Sequence, residues 1–425
     1  MVHPDRPDPG LAIRNITVVG DTYLAQSILD ALGELDPPRQ LTLLIPSTAG
    51  PSAHSPLLSS STTTTTTNHH HSDSDSDSDS HHSHPHHPIR HLPADFSSPS
   101  SLRAALAGQD LVISTDGGGG GGGDYYAAQT RLVNAAVQAR VPRFVPAEFG
   151  ADSLNERVAG RLPPHAQRAR LIGFLRAMES EGKSGDGTVA GGDGDGDGDG
   201  EVGGDEGGGK GGCCADGCGH GHGHGDAEGD AVEVVQTSGG FDDPFSWVAV
   251  AAGALLGARL DDLGFDIKWQ SATVYGDGDG DAGGRDRAFF AVSSLAWVGR
   301  SVARVVERWD AVRNSYLYAA GAVTSADEVV ACLQAATGKE WAVGTADVAE
   351  CVAEAERCLR RGFPDAGIAL MERSVLYDTS LGAVDSFRTK SANDLLGLGR
   401  EKVEDIIIGA VHDFQNHGKA DCGCS

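Results

Sequence analysis

The stretch IRNITVVGDTYLAQSILDAL, residues 13–32, sets the architecture expected of this chain. Residues 13–19 form a short apolar run with the composition of a buried strand. A turn opens at Gly20, and Leu24, Ile28, Leu29 and Leu32 then recur at helical spacing. Strand, turn and helix in that order make the first unit of a dinucleotide-binding fold, in which the free N–H groups of the helix N-terminus face a pyrophosphate. A complete fingerprint places glycine at the turn, at the close approach to phosphate and at the contact between helix and strand. Here Gly20 supplies the first, Ala25 stands near the third, and Thr22-Tyr23 contains no middle glycine. A core strand and helix that bind nothing would read the same way.

Working outward, the chain has 425 residues and a net charge of −27. Three Asp-rich segments, 72–80, 184–232 and 276–286, carry −4, −11 and −3, which leaves about −9 for the remainder. No basic stripe is left to neutralise phosphates, so nucleic acid is not an expected direct partner. No apolar run reaches the ~20 residues of a membrane span, and the first residues lack a signal-peptide pattern, so the expected location is the cytosol. About 310–330 residues are available for a core, enough for one large α/β unit or two lobes. Of the eight cysteines, Cys332, Cys351 and Cys358 fall in helical patterns and read as small apolar residues.

Asp36-Pro37-Pro38 stops the first helix, and residues 41–45 form a second strand of buried type. Folds of this kind that bind NAD hold the ribose hydroxyls with an acidic residue at the end of that strand. Here stand Pro46-Ser47-Thr48, whose hydroxyls suit a 2′-phosphate, so NADP is expected ahead of NAD. Residues 48–88 then reduce to Ser, Thr, Asp and His, a composition that cannot bury enough apolar area to offset the entropy of ordering. They read as a disordered insert, and their ligand-type side chains have no rigid frame for a fixed metal site. A strand near Ile89, a helix over 100–107, a strand over 110–115 and a helix over 125–140 follow. The glycine run 117–123 between the last two reads as a loop, since no Gly-Lys-Ser/Thr comes after it.

The most specific stretch is VPRFVPAEFGADS, residues 141–153. A strand over 143–145 runs into Pro146 and then a Glu148-Phe149-Gly150 turn at its carboxyl end, where open α/β sheets place their ligands. At this point the chain resembles the NmrA-like and isoflavone-reductase-like family of atypical short-chain dehydrogenases, whose matching strand ends in Pro-Ser-Glu-Phe-Gly. Gly20-Asp21-Thr22-Tyr23-Leu24-Ala25 is similar to that family's Gly-x-Thr-Gly-x-Leu-Gly with one glycine deleted and the last replaced. Asp95-Phe96, Ser114-Thr115, Gln129, Leu263-Gly264-Phe265-Asp266, Asn314-Ser315-Tyr316-Leu317-Tyr318 and Thr337-Gly338-Lys339-Glu340-Trp341 follow the family's order, so the resemblance spans nearly all of the chain outside the inserts.

The resemblance implies a cofactor site made by Gly20, Thr22, Tyr23, Leu24, Ser47, Ser114, Thr115, Pro146, Glu148 and Phe149. It also implies a proton-transferring lysine near the start of the helix after the Glu-Phe-Gly turn. Counting back from Gly173-Phe174-Leu175, that position holds Arg168, the candidate catalytic residue. A guanidinium stays charged, so Arg168 suits an oxyanion or a carboxylate and is a poor proton donor; alternatively it is a solvated helix arginine like Arg170 and Arg176. No Tyr followed four residues later by Lys occurs, which removes the usual acid–base pair of ordinary short-chain dehydrogenases. A second insert, 184–232, is rich in Gly, Asp, Cys and His at spacings that match no rigid zinc module, so no metal site is assigned. A strand over 233–237 leads to Gly240 and Phe241, which with Phe245 are the expected substrate contacts, and Trp247 is a further candidate for the pocket wall.

The expected fold is a Rossmann-like α/β domain with a mainly parallel sheet, residues 11–240 with inserts at about 48–88 and 184–232. A smaller C-terminal α/β lobe, 241–418, is interleaved with it. The expected function is an NADPH-dependent reductase acting on a small aromatic or otherwise apolar metabolite, NAD remaining possible as cofactor. The alternative is a non-catalytic dinucleotide-binding regulator of the NmrA type, acting through a protein partner.

Overall fold

The computed structural model describes residues 13–47, 88–115, 124–184, 244–257, 260–276 and 288–417. The expected inserts, the glycine run 117–123, the strand over 233–237, Gly240 and Phe241 lie outside them.

Six parallel strands come first: β1 (Asn15–Val19), β2 (Gln40–Pro46), β3 (Arg90–Ala94), β4 (Leu111–Ser114), β5 (Arg143–Val145) and β6 (Ser246–Ala251). They stand in the order 3-2-1-4-5-6, the doubly wound order that opens a crevice at the carboxyl ends of β1 and β4. β4, β5 and β6 are buried at every position and β1 at all but its first, because helices cover both faces; this is why they read as apolar runs rather than as alternations.

On one face lies α1 (Tyr23–Gly33), which buries Leu24, Ala25, Ile28, Leu29 and Leu32. On the other lie α2 (Pro99–Leu106), α3 (Tyr125–Gln138) and α5 (Pro163–Ser184), while the short α4 (Glu156–Arg161) buries Val158 against Ala355, Met371 and Val375 of the small lobe. Leu102, Leu106, Val133, Phe144 and Leu175 form the core of that second face. The expected boundaries of β1, β2, α2 and α3 hold to within about two residues, the usual scatter at element ends.

One expectation is corrected here. Phe245 is 7 % exposed and Trp247 1 %, and both belong to the core beneath α3 and α5 rather than to a pocket wall. Six consecutive buried residues, Ser246 to Ala251, are a central strand, and Trp247 Nε1 lies inside the molecule with the indole.

The chain then leaves the sheet. β7 (Ala254–Leu255), β8 (Phe265–Asp266), β9 (Ser271–Gly276) and β10 (Phe289–Ser293) belong to two small sheets. It returns with α6 (Leu295–Glu307) and α7 (Trp309–Val312), which pack beside α1, and with β11 (Ser315–Tyr318), which pairs parallel to β6 as the seventh strand of the large sheet. β12 (Ala322–Ser325), α8 (Ala326–Thr337), β13 (Ala342–Asp347), α9 (Val348–Arg360) and α10 (Pro364–Tyr377) complete the small lobe, with α11 (Asp385–Thr389), α12 (Asn393–Leu396) and α13 (Val403–His417) after it. That lobe has its own core of Leu256, Phe265, Phe290, Val329, Leu333 and Ile407.

α1 and α6 touch through backbone. A Cβ on Gly299 would fall 2.2 Å from the carbonyl oxygen of Ser27, so only glycine lets the two helices lie this close. Among the described residues no helix is long and apolar enough to cross a membrane.

Candidate active site

The carboxyl ends of the central strands face the small lobe across a cavity of about 210 Å³. Leu24, Thr115, Phe149, His165 and Arg168 line it from the large sheet's side, and Leu255, Leu263, Glu372, Val375 and Leu376 line it from the other.

The first wall is the turn from β1 to α1. Gly20 has φ +122°, a conformation that costs glycine nothing and strains any other residue. Thr22 caps α1, its hydroxyl accepting from the Ala25 N–H at 3.1 Å, and the same oxygen lies 3.4 Å from Thr115 Oγ1. Thr115 in turn donates to the Val19 carbonyl at 2.9 Å, so the ends of β1 and β4 are stitched together at the crevice. Asp21 Oδ1 is buried with no hydrogen-bond partner.

The remaining expected contacts divide. Ser47 is exposed at the end of β2, its N–H donating to the Ala94 carbonyl at 2.8 Å, and Tyr23 is 63 % exposed. Ser114 is fully buried with its hydroxyl accepting from Gln129 on α3 at 2.9 Å, which turns it toward the helix and away from the crevice. Pro146 is buried as β5 ends.

The Glu-Phe-Gly turn splits its side chains. Phe149 faces the cavity, whereas Glu148 is fully buried and is not among the residues lining it. Glu148 Oε2 accepts from the Ser153 hydroxyl at 2.7 Å and from the Tyr316 hydroxyl at 3.3 Å; Oε1 has no partner. Burial pushes its carboxyl from 4.5 up to about 7, against the opposing pull of the Arg168 charge and of the two hydrogen bonds. The expectation of a direct cofactor contact thus gives way at Glu148 to a buried acid behind the turn.

This makes a pH prediction with a definite sign. The unfolded chain gives up the Glu148 proton near 4.5 and the folded chain near 7, so the folded state is favoured most below 4.5 and loses that advantage as pH rises to about 7. The loss amounts to roughly 3 kcal/mol. Glu148→Gln cannot ionise and should escape it. Urea midpoints of both proteins at about pH 5 and about pH 8 check this; a difference between them that does not change with pH would exclude an elevated Glu148.

The second wall is α5, which opens with Pro163 and Pro164, residues suited to a first turn whose N–H groups have no intrahelical acceptor. Three residues apart on one face follow His165 and Arg168. The guanidinium donates from Nη1 to His165 Nε2 at 3.3 Å and lies 5.5 Å from the Tyr125 ring centre, while Arg168 Nε is buried without a partner. Tyr125 donates from its hydroxyl to the Ala147 carbonyl at 3.1 Å, fixing that ring behind the turn. A Cβ on Gly150 would sit 3.4 Å from Arg168 Nη1, so the bare glycine lets the turn lie close against the guanidinium. Arg168 is half-buried, whereas Arg170 and Arg176 are exposed, which separates it from the solvated arginines of its own helix.

His165, Ser153 and Tyr316 were not among the sequence candidates. His165 carried a signal, being three residues before Arg168 and directly after two prolines. Tyr316 lies in a stretch that follows the family's order, but nothing in the sequence ties it to Glu148, which it meets across 168 positions of chain. Among the described residues no group of three or more His, Cys, Asp or Glu is placed to hold a metal.

Three comparisons bear on this geometry. The model of the NmrA-like family matches residues 77–181. The oxidoreductase aprR of Aspergillus flavus is 24 % identical over 323 residues, covering 76 % of this chain and 83 % of its own. Among solved structures, isoflavone reductase matches with a TM-score of 0.53 at 12 % identity, covering 93 % of this chain and 98 % of its own. An NADPH-dependent quinone oxidoreductase of Escherichia coli, solved with NADPH, matches with a TM-score of 0.52 at 13 % identity, covering 92 % and 98 %.

Proposed function

From the family that these matches support, the NmrA-like and isoflavone-reductase-like proteins, we propose that this chain is an NADPH-dependent reductase of a small aromatic or otherwise apolar metabolite. The observation that carries the reading is one cavity in which Leu24 of the first strand-turn-helix unit, Thr115 of the crevice and the Arg168 cation meet apolar residues of the small lobe.

The residues fit a dinucleotide. Gly20 and Thr22 shape the turn into α1, where Thr22 takes the Ala25 N–H and the Tyr23 and Leu24 amides, which have no intrahelical acceptor, are left for an anion at the helix N-terminus. Asp21 Oδ1, buried and unpartnered, is an acceptor that a sugar hydroxyl would satisfy. When bound, the nicotinamide would supply a hydride, that is two electrons and a hydrogen nucleus, with the balancing proton taken from water.

This chain's own residues supply the setting. Leu24, Phe149, Leu255 and Leu263 put apolar surface around the cavity, which lowers the local dielectric and strengthens electrostatic interactions inside it. Arg168 holds a permanent positive charge there and stabilises negative charge as it develops.

Titration with NADPH and with NADH, followed by a cofactor-oxidation screen over aromatic ketones and enones, tests the reading. Binding of NADPH with no oxidation of any substrate would leave a regulator; no binding of either would overturn both. NADPH preference is expected to depend on the end of β2. Ser47→Asp would place an anion where a 2′-phosphate is proposed to lie, and should weaken NADPH by roughly tenfold or more while sparing NADH. Equal effects on the two cofactors would move the 2′-phosphate elsewhere.

A further inference from the structure

We propose a second ligand site, at the opposite end of the large sheet from the crevice, in which Arg39 and Arg90 hold the phosphate group of a small phosphorylated compound. The site does not depend on the reductase reading.

Its place is marked by a departure in the strands. Parallel strands covered on both faces are apolar along their length. Yet β1 opens Asn15-Ile16-Thr17 and β2 opens Gln40-Leu41-Thr42. Asn15 stands beside Gln40, Thr17 beside Thr42, and Thr42 beside Arg90 of β3, so the parallel register puts all five side chains on one face of the sheet. Farther along that face Val19, Leu44 and Ala94 are apolar and pack with α2 and α3. At the amino ends a pocket of about 360 Å³ opens instead, lined by Asn15, Arg39, Gln40, Thr42, Arg90 and Gln109 among others. Folding alone would favour apolar residues there, because a polar group withdrawn from water costs free energy unless it is paired. Thr17 is fully buried and donates to Gln109 Oε1 at 2.9 Å, while Thr42, 7 % exposed, lines the pocket.

The lining carries positive charge and hydrogen-bond donors. It has two arginines and no aspartate or glutamate, in a chain whose net charge is −27. Arg39 is half-buried and donates from Nη1 to the Pro37 carbonyl at 2.6 Å, which fixes part of the guanidinium before any ligand arrives. Arg90 is exposed on the edge strand. The neighbouring acid, Asp110, accepts at Oδ2 from the backbone N–H groups of Arg14 and Asn15 at 2.8 Å each, so its charge is engaged at the start of β1. Two guanidiniums with a hydroxyl and three carboxamides suit a group of several acceptor oxygens and two negative charges, which a phosphate supplies and a single carboxylate does not. The volume suits a body of only a few carbons beside it.

The test titrates the full chain with glycerol 3-phosphate, inorganic phosphate and glycerol at constant ionic strength in chloride, followed by calorimetry and, for the first two, phosphorus NMR. Both phosphates should bind and glycerol should not; which of the two binds more tightly tells an ester from free phosphate as the ligand. Arg90→Gln should weaken binding by about tenfold and Arg90→Glu by about a hundredfold or more. Arg90 is exposed, so both variants should fold. Arg103→Gln, an exposed position on α2 outside the lining, should change nothing. Saturation with NADP⁺ should leave the phosphate affinity unaltered, since the five residues of β1 separate the pocket from the crevice by about 16 Å. No binding of either phosphate, binding unchanged in Arg90→Glu, an equal loss in Arg103→Gln, or displacement by NADP⁺ would each overturn the proposal. A chain that binds no NADP⁺ would remove the reductase reading and leave this site to be decided by the variants.

Discussion

Replacing Arg168 by alanine is expected to lower the turnover of the proposed reductase by roughly a hundred- to a thousandfold, the loss that follows removal of one fixed charge from an active site. The guanidinium stands half-buried in the cavity, with the His165 ring and the Tyr125 face as its neighbours and apolar residues opposite. Nothing else named in that lining is a permanent cation, so no second group takes over its task. Arg168→Lys keeps the charge but loses the planar fork that reaches His165 Nε2, and should fall between the two. NADPH affinity should change little in either variant. Steady-state rates and cofactor titrations on the three proteins in parallel check this. A rise in turnover in Arg168→Lys would show that this position moves a proton, and equal rates in all three would remove Arg168 from the chemistry.

Gly299→Ala should be among the most damaging single methyls in the fold. Its Cβ would meet the Ser27 carbonyl oxygen at 2.2 Å and the carbonyl carbon at 2.8 Å, and backbone cannot swing aside as a side-chain tip can. α1 and α6 must separate, at roughly 2–3 kcal/mol or more. Because α1 begins at the Gly20 turn, the shift should also weaken NADPH. Gly409→Ala is the control: on α13, where an added Cβ meets nothing within 4 Å, it should stabilise by about 1 kcal/mol through helix propensity alone. Thermal melting of both variants decides; equal, small effects would mean that α1 and α6 do not pack through backbone.

Much of this architecture was legible in the sequence because buried parallel strands are apolar runs and α1 carries a clean helical period. β6 was not. Its run of small and apolar residues gives no period that separates a strand from a buried helix, and Phe245 and Trp247 looked like pocket walls because aromatic side chains serve in both places. At the site, Arg168 could be placed only by register against a resembling family, since helical spacing alone does not distinguish it from Arg170. Glu148 was found as a motif member, but its environment was not. A buried acid is defined by what surrounds it, and Ser153 and Tyr316 reach it from a neighbouring turn and from a distant strand.

The late return of β11 to the large sheet governs how the chain can be assembled. Trp247 N–H donates to Asn314 Oδ1 across 67 positions of sequence, and until that segment arrives β6 is an open edge with unsatisfied backbone groups. During synthesis the first half therefore emerges as a sheet that cannot close, and it waits for the strands of the small lobe to pass before its last member is made. Contacts of such span slow folding and leave an aggregation-prone edge exposed meanwhile. No single cut between β6 and β11 yields two self-sufficient fragments, because one would lack its closing strand and the other would carry α6, α7 and β11 with no sheet to join. Melting should accordingly be one cooperative event shared by both lobes, and a chaperone that shields edge strands should raise the yield of folded protein more than one that shields apolar helices.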